Sequence, residues 1–315
     1  MNPLNILVCG TNYGRTYIEA INLGGASYRL AGILARGSAR SKQVARECGV
    51  PLYLSIEDMT RDIELACAAM GTSGGDAVLG LLARGIHVLS EHPQKSSQLQ
   101  SALRAAASRG LCFHVNGHFA DLEAAEAFID HYRRESEFAR PSFFHVTATD
   151  RSLYAALDIL RRILPSFAPF QFQAISRIPP FTIAQGLLNG VPATFHLQAC
   201  AVHIPLPDGS PAYLIDHRIV AGFPSGILTL LSMNGPVVWN ANANRVTYPA
   251  QPLFTVAHED RALTAELLCQ KRVAVNLAAI SAIVKNMEEH ITPHQQAPDY
   301  LLDVGHAWET IGSLL

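Results

Sequence analysis

The sequence is short of charge, of paired cysteines and of long unbroken apolar runs, and each shortage removes a class of function. Charged residues make up 16% of the 315, and Lys+Arg 24 against Asp+Glu 26 leaves a net charge of −2. A chain so balanced carries no overall basic field for nucleic acid. The six cysteines (Cys9, Cys48, Cys67, Cys112, Cys200 and Cys269) are scattered, with no C-x-x-C pair and no zinc-ligand spacing. They read as reduced structural thiols, with a redox role as the lesser alternative. There is no H-E-x-x-H, and His203, His217, His290 and His294 lack a third ligand at metal spacing. Surface or core histidines, and no metal, are the expectation. The longest apolar stretch, 77–89, is interrupted by Arg84 and His87, so no membrane span is expected. The opening Met1-Asn2-Pro3 lacks the basic start of a signal peptide, which points to a cytoplasmic protein.

What the chain does have is a regular alternation. With 49% hydrophobic residues it has material for two domains, each with its own core. Residues 4–10 form a short apolar run ending in Gly10, as in a buried strand, and 15–23 carry helical spacing on Tyr17, Ala20 and Ile21. Further strands over 28–35, 52–54, 66–70, 86–90 and 111–115 alternate with helices over 38–48, 77–84 and 97–109. A helical turn is expected at 55–59, with Asp76 as the cap of the 77–84 helix. Alternation at this pitch predicts an α/β fold, with right-handed βαβ units and a doubly wound parallel sheet in an N-terminal Rossmann domain, 1–119. Beyond about residue 116 the pattern changes. Amphipathic helices over 122–134 and 153–164 flank a strand at 143–148. From 170 to 248, β-prone runs at 193–204, 213–220, 226–233 and 237–240 alternate with Pro/Gly turns, and 259–289 is strongly helical. The second domain, 120–315, is therefore expected to be α+β with a mostly antiparallel open sheet, its C-terminal helix packing back on the first domain.

Two segments carry cofactor chemistry. Gly10-Thr11-Asn12-Tyr13-Gly14 joins a strand to a helix. Glycine permits the sharp turn and lets a pyrophosphate approach backbone N–H groups at a helix N-terminus, where the dipole favours an anion. The G-x-x-x-G spacing departs from G-x-G-x-x-G, but its place in a βαβ series marks a dinucleotide site over an ordinary tight turn. At the end of the second strand, an NAD site usually places an acid for the ribose 2′-OH. Here Arg36, Ser38, Arg40 and Ser41 stand instead. Guanidinium forks and hydroxyls suit a 2′-phosphate, so NADPH is favoured, a solvated basic loop being the plain alternative. Thr72, Ser73 and Gly74, after the 66–70 strand, are expected to border the nicotinamide.

A third segment is Ser90-Glu91-His92-Pro93-Gln94. GVPLYLSIED (49–58), LLARGIHVLSEHP (81–93) and HVNGHF (114–119) resemble the glucose–fructose oxidoreductase and inositol dehydrogenase family, over roughly residues 1–120. There the corresponding stretch reads aGkhVlcEKP, and its lysine is the usual catalytic or substrate-positioning residue; His92 holds that position here. The family's DxGxHxxD pattern falls on 151–158, with Asp158 as the final acid but Ala155 near the histidine position, so the alcohol-oxidising triad is missing. GTxxGxxY (10–17), EHP for EKP, and Tyr154-x-x-x-Asp158-Ile159-Leu160 are similar to the thiazolinyl imine reductases, a divergent branch serving siderophore assembly lines of the yersiniabactin and pyochelin type. The resemblance implies NADPH-dependent reduction of a thiazoline C=N to a thiazolidine. Its substrate is carried as a phosphopantetheine thioester on a carrier protein of a nonribosomal peptide synthetase. It also implies a homodimer through the free face of the second-domain sheet.

Imine reduction needs a hydride at carbon and a proton at nitrogen. With a reference pKa of about 6.5, about a quarter of His92 would be charged at pH 7, making it the candidate donor. A packing histidine is the alternative. Glu91 could hold the imidazolium, bind the cofactor ribose or brace the turn, and Pro93 fixes the chain direction. Related reductases place a tyrosine, a second proposed donor, after the VN of the next strand. Here Val115-Asn116-Gly117-His118-Phe119 puts Phe119 there, leaving His118 or Tyr154 to substitute. Asn116, Glu91 and His92 are also expected beside the cofactor. A sugar or cyclitol dehydrogenase of the same superfamily, and an NADP-binding regulator without catalysis, are the competing readings.

Overall fold

Ile6, Leu7, Val8 and Cys9 are consecutive and all wholly buried, so their strand, β1 (Leu4–Cys9), is covered on both faces. The cover comes from the helices that alternate with it. The computed structural model describes residues 2–60, 62–199, 216–245 and 252–315. After β1 come α1 (Gly14–Leu23), β2 (Tyr28–Leu34), α2 (Ala39–Glu47), β3 (Leu52–Tyr53) and β4 (Leu65–Ala68). Then follow α3 (Gly75–Ala83), β5 (His87–Glu91), α4 (Ser96–Ala107) and β6 (Phe113–Asn116). The six strands pair in parallel, in the order β3-β2-β1-β4-β5-β6. The order reverses between β1 and β4, which is where such sheets open a crevice for a dinucleotide.

The next elements are α5 (Glu123–Ser136), β7 (Phe143–Thr149), α6 (Leu153–Ile163), β8 (Gln171–Ile178), β9 (Phe181–Leu188) and β10 (Val191–Gln198). They continue with β11 (Arg218–Phe223), β12 (Gly226–Leu230), β13 (Val237–Ala241) and β14 (Phe254–His258). These eight strands form one sheet, β14-β13-β12-β11-β7-β10-β9-β8, in which β7 and β10 run parallel and the other neighbours antiparallel. Burial alternates along each strand. Phe144, Val146, Ala148, Ala193, Phe195, Leu197, Leu228 and Leu230 are buried on one face, where α5 packs on β12–β14 and α6 on β7. The alternate residues face outward, the pattern of a sheet with one covered side.

The chain then enters α7 (Ala265–Glu289), capped by the Thr264 hydroxyl accepting from Leu267 N–H, and ends with α8 (Pro298–Gly312). Two compact units result: Met1–His118 with Thr264–Gly305, and Phe119–Leu263 with His306–Leu315. The segment that returns to the first unit is therefore 264–305, because Val273, Ile280 and Ile283 of α7 join Ile6, Tyr17, Ile21 and Leu89 in one core. By length and composition α7 is apolar enough to cross a membrane, which the sequence reading had not considered. Its buried Asn276 and Asn286 are instead hydrogen-bonded to residues of the first unit.

Several local expectations differ from the structure. Residues 55–59 form no helix, since the Asp58 carboxylate takes the Ser55 N–H and closes a tight turn. Asp76 caps nothing; a 3-10 turn over Gly71–Gly74 runs straight into α3, whose N-cap is Gly74. Strands β8, β9 and β14 were not resolved individually, and the helix expected from 259 starts only at Ala265. The β-prone stretches at 200–204 and 213–215, with Cys200 and His203, lie outside the described residues.

Candidate active site

The site is built at the C-terminal edge of the parallel sheet. Gly10 adopts φ +88°, and a Cβ there would meet the Ala69 carbonyl oxygen at 2.6 Å. Only glycine fits. Its N–H donates to the Leu34 carbonyl at 2.9 Å, tying the turn to the end of β2. A Cβ on Gly14 would come 2.9 Å from Val8 Cγ1, so this glycine lets α1 start against β1. Thr11 is buried, Asn12 exposed and Tyr13 half-buried at the N-cap. The turn and the helix N-terminus therefore fit a pyrophosphate.

The β2 loop lies beside that turn, because Arg40 Nη1 donates to Asn12 Oδ1 at 3.3 Å. Arg36 and Ser38 are exposed. Ser38 caps α2, its hydroxyl accepting from the Ser41 N–H, and buried Ser41 donates its own hydroxyl to the Ser38 carbonyl at 2.9 Å. Both serine hydroxyls are thus already committed to the cap, which leaves the Arg36 and Arg40 guanidiniums for an anion. On the far side of the crevice, the Thr72 carbonyl accepts from Gln98 and the Ser73 hydroxyl donates to the Met70 carbonyl, while Gly74 is buried.

Strand β5 delivers Glu91, opposite Asn116 of β6 in the parallel register. Gln94 is buried and donates to Ser90 Oγ at 3.0 Å and to the Glu91 carbonyl at 2.9 Å, fixing the turn that carries His92. A buried polar network surrounds these residues, with Asn116 Oδ1 left as an unpartnered acceptor. Tyr17 donates its hydroxyl to Glu91 Oε2 at 2.7 Å. Asn116 Nδ2 donates to the Tyr17 oxygen at 2.6 Å and to Asn276 Oδ1 at 2.7 Å. Asn276 Nδ2 donates to the Tyr13 oxygen at 3.0 Å and to the Arg272 carbonyl at 2.7 Å. With its oxygen occupied as an acceptor, Tyr13 donates to His118 Nε2 at 3.0 Å. The His118 proton then sits on Nδ1, 3.6 Å from Glu91 Oε1. His92 Nδ1 lies 2.7 Å from the Asn116 carbonyl, an acceptor only, so that nitrogen also carries a proton. The lone pair of the neutral His92 ring is then on Nε2.

Burial decides the charges. It pushes the Glu91 carboxyl up to about 8, with the Tyr17 hydrogen bond opposing, and pushes His92 down to about 4, with the Asn116 carbonyl opposing. His118 is held well below its ordinary range by burial, and further by His92 and Arg272. The 3.4 and 3.6 Å approaches of His92 and His118 to Glu91 are of ion-pair length. At neutral pH in the free protein they join neutral groups, and the exchangeable proton resides on Glu91. The quarter-charged His92 expected from its reference value is thereby overturned: removal from water disfavours the imidazolium.

Glu91, His92 and His118 also offer three metal-ligating atoms within 4.8 Å of one another. Among the other expected residues, Tyr154 is buried on α6 in the second unit. The sequence reading did not place Tyr17, Gln94 or Asn276 in the site. Tyr17 stood within GTxxGxxY, one helical turn after Tyr13, and was the one with a visible signal.

A parallel sheet in this order, with a glycine turn and a helix N-terminus at its switch point, defines the class of Rossmann dinucleotide-binding proteins. Residues 4–117 match the model of the oxidoreductase family with NAD-binding Rossmann fold, and 139–240 match the C-terminal domain of the Irp3-like thiazolinyl imine reductases. The chain belongs to that oxidoreductase family, in the form that carries an Irp3-like C-terminal domain. No curated protein matches it in sequence. In fold it is similar to a dehydrogenase from Chromobacterium violaceum, with a TM-score of 0.74 and 13% identity over 99% of this chain and 95% of that one. It is also similar to myo-inositol 2-dehydrogenase from Lactobacillus plantarum, with a TM-score of 0.72 and 12% identity over 99% and 97%. An oxidoreductase from Agrobacterium radiobacter, solved with NAD+, L-tartaric acid and magnesium, gives 0.70 and 13% over 98% and 95%. At such identities the likeness carries the fold alone.

Proposed function

We propose that the protein is a cytoplasmic, homodimeric, NADPH-dependent thiazolinyl imine reductase. Its substrate is a thiazoline held as a thioester on a carrier protein of a nonribosomal peptide synthetase making a siderophore of the yersiniabactin or pyochelin type. The match of residues 139–240 to the Irp3-like domain carries this reading. The imidazole of His92, where sugar dehydrogenases of the resembling family keep a lysine, supports it.

When bound, the dihydronicotinamide supplies a hydride to the imine carbon. The chain must hold the cofactor, exclude water and place one proton on the ring nitrogen. Gly10–Gly14 and the first N–H groups of α1 suit the pyrophosphate, and Arg36 and Arg40 suit a 2′-phosphate. The Glu91–His92–His118 cluster contains one exchangeable proton. A net shift of the Glu91 proton to the His92 ring leaves the total charge unchanged and gives a carboxylate–imidazolium pair, with Glu91 Oε1 3.4 Å from His92 Nδ1. The Tyr17 hydroxyl, at 2.7 Å, stabilises the carboxylate so formed. His92 Nδ1–H stays on the Asn116 carbonyl throughout, which makes Nε2 the atom that hands the proton on.

The test is mass spectrometry of a thiazoline-loaded carrier protein after incubation with enzyme and NADPH. A gain of two hydrogens is expected, with NADH a poorer donor and His92→Ala slowed by about 100-fold, the scale of one general acid. His92→Ala at full rate would remove His92 from the reaction. Oxidation of myo-inositol without imine reduction would favour a cyclitol dehydrogenase, and tight NADPH binding without any turnover a regulator.

A further inference from the structure

Glu91 and His92 lie at the end of β5, and His118 follows β6. Parallel pairing of those two strands brings the three side chains together within the first unit. Sequence spacing did not announce this meeting, because its members come from different strands. Glu91 Oε1 is 3.4 Å from His92 Nδ1 and 3.6 Å from His118 Nδ1, and the two imidazole rings stand 5.5 Å apart, tilted by 50°. One ligating atom of each residue lies within 4.8 Å of the other two. Each is also held from behind. The Tyr17 hydroxyl donates to the other Glu91 oxygen at 2.7 Å, the Asn116 carbonyl accepts from His92 at 2.7 Å, and the Tyr13 hydroxyl bonds His118 at 3.0 Å. Outer partners of this kind fix the orientation of metal ligands.

We propose that Glu91, His92 and His118 form a reversible zinc site that switches the enzyme off when it fills. Two imidazoles and one carboxylate are a ligand set for zinc, whereas magnesium and calcium prefer oxygen alone. Three protein ligands leave a fourth zinc position for water. Small movements of the three side chains bring their ligating atoms to the roughly 2.0–2.2 Å that zinc requires. The ion needs no cavity beyond the space among its ligands, and the Glu91 side chain keeps 10% of its surface exposed as the way in. The Arg272 charge, which acts on His118, opposes a cation and keeps binding micromolar and reversible. On the imine-reductase reading, on which the inhibitory half rests, zinc here occupies the carboxylate and the imidazole that pass the proton to the ring nitrogen.

The experiment titrates the full chain, stripped of metal with EDTA, and reads binding without turnover. Zn2+ should bind stoichiometrically by calorimetry and raise the melting temperature, while millimolar Mg2+ should do neither. Co2+ on wild type should give visible d–d bands without the charge-transfer absorption of a cobalt–thiolate bond, which excludes the cysteines as ligands. His92→Gln and His118→Gln should each weaken Zn2+ binding at least about tenfold, the scale seen even for outer partners. Melting in EDTA shows whether each variant is folded, and if neither folds the cobalt spectrum of wild type decides. Thiolate charge transfer, no cobalt bands, or wild-type zinc affinity in the folded variants would overturn the proposal. In the activity assay with 2-phenyl-2-thiazoline and NADPH, micromolar Zn2+ should slow wild type at least about tenfold, and EDTA should restore the rate. Full rate with zinc bound would refute the inhibitory half. A wild type that binds zinc as described yet reduces no thiazoline would sink the imine reading and leave the metal site standing.

Discussion

Glu91 has an ordinary carboxyl value of 4.5, and burial raises it to about 8 in the folded protein. The unfolded chain therefore loses this proton first. Stability owed to Glu91 is full below about 4.5 and is lost as pH rises toward 8. Glu91→Gln keeps an acceptor for the Tyr17 hydroxyl and removes the ionisation. Its unfolding free energy should gain on wild type steadily from pH 5 to pH 8, by up to about 1.4 kcal/mol per pH unit, read as a widening gap in melting temperature. An offset that does not vary with pH would show that Glu91 is not protonated in the fold. The same variant should bind NADPH normally yet lose about 100-fold in kcat, since its amide has no proton to supply to His92, the general acid. Residue identity was legible at this scale: EHP stood out in the sequence, and the structure places its acid and base in one buried cluster. The protonation states were not legible, because a reference pKa contains no burial term. The partners were not either, since Tyr17, Asn116 and Asn276 are far apart in sequence and meet only in the folded unit.

At the scale of elements, α7 shows what helical periodicity conveys and what it omits. Its apolar spacing announces a helix, while its destination depends on which face finds a partner. Val273, Ile280 and Ile283 settle that by joining the core around β1. Asn276 is wholly buried on the same helix and bonds to Tyr13, Asn116 and the Arg272 carbonyl. Replacing it with leucine leaves Tyr13 and Asn116 short of partners, at a cost of about 1–3 kcal/mol. It also frees Tyr13 from the role that fixes the His118 tautomer. Asn276→Leu should therefore shift the pH profile of kcat/KM as well as lower the melting temperature. Asn286→Leu is the control. It breaks the 2.9 Å bond between Asn286, also on α7, and His114 of β6, and should lower stability without moving the profile. Equal pH profiles in the two variants would reduce Asn276 to a packing role. The parallel strands were legible as short apolar runs ending in glycine or polar turns. The outer strands β8, β9 and β14 were harder to read, since half of each faces outward and carries no continuous apolar signal.

At the scale of the whole molecule, the eight-stranded sheet has a face that α5 and α6 do not cover. By alternation from the buried Ala184, Leu228 and Trp239, that face carries Ile178, Leu187, Ile227, Phe254 and Val256, with Ile178 73% and Phe254 56% exposed. They sit toward the two ends of the sheet, β8–β9 and β12–β14, and exposed apolar side chains grouped on one face suit an interaction surface. A second copy is the partner that the proposed function calls for, and a flat β face suits the self-complementary contact of a two-fold dimer. Light scattering at micromolar concentration should therefore give about twice the 34.1 kDa chain mass. Introducing like charges with Ile227→Lys and Val256→Lys should return it to the monomer value. Because neither side chain enters the core of its own unit, NADPH affinity should be unchanged in the double variant, which separates loss of the interface from loss of the fold. A wild type that scatters as a monomer would assign this surface to some other partner and remove the homodimer from the proposal.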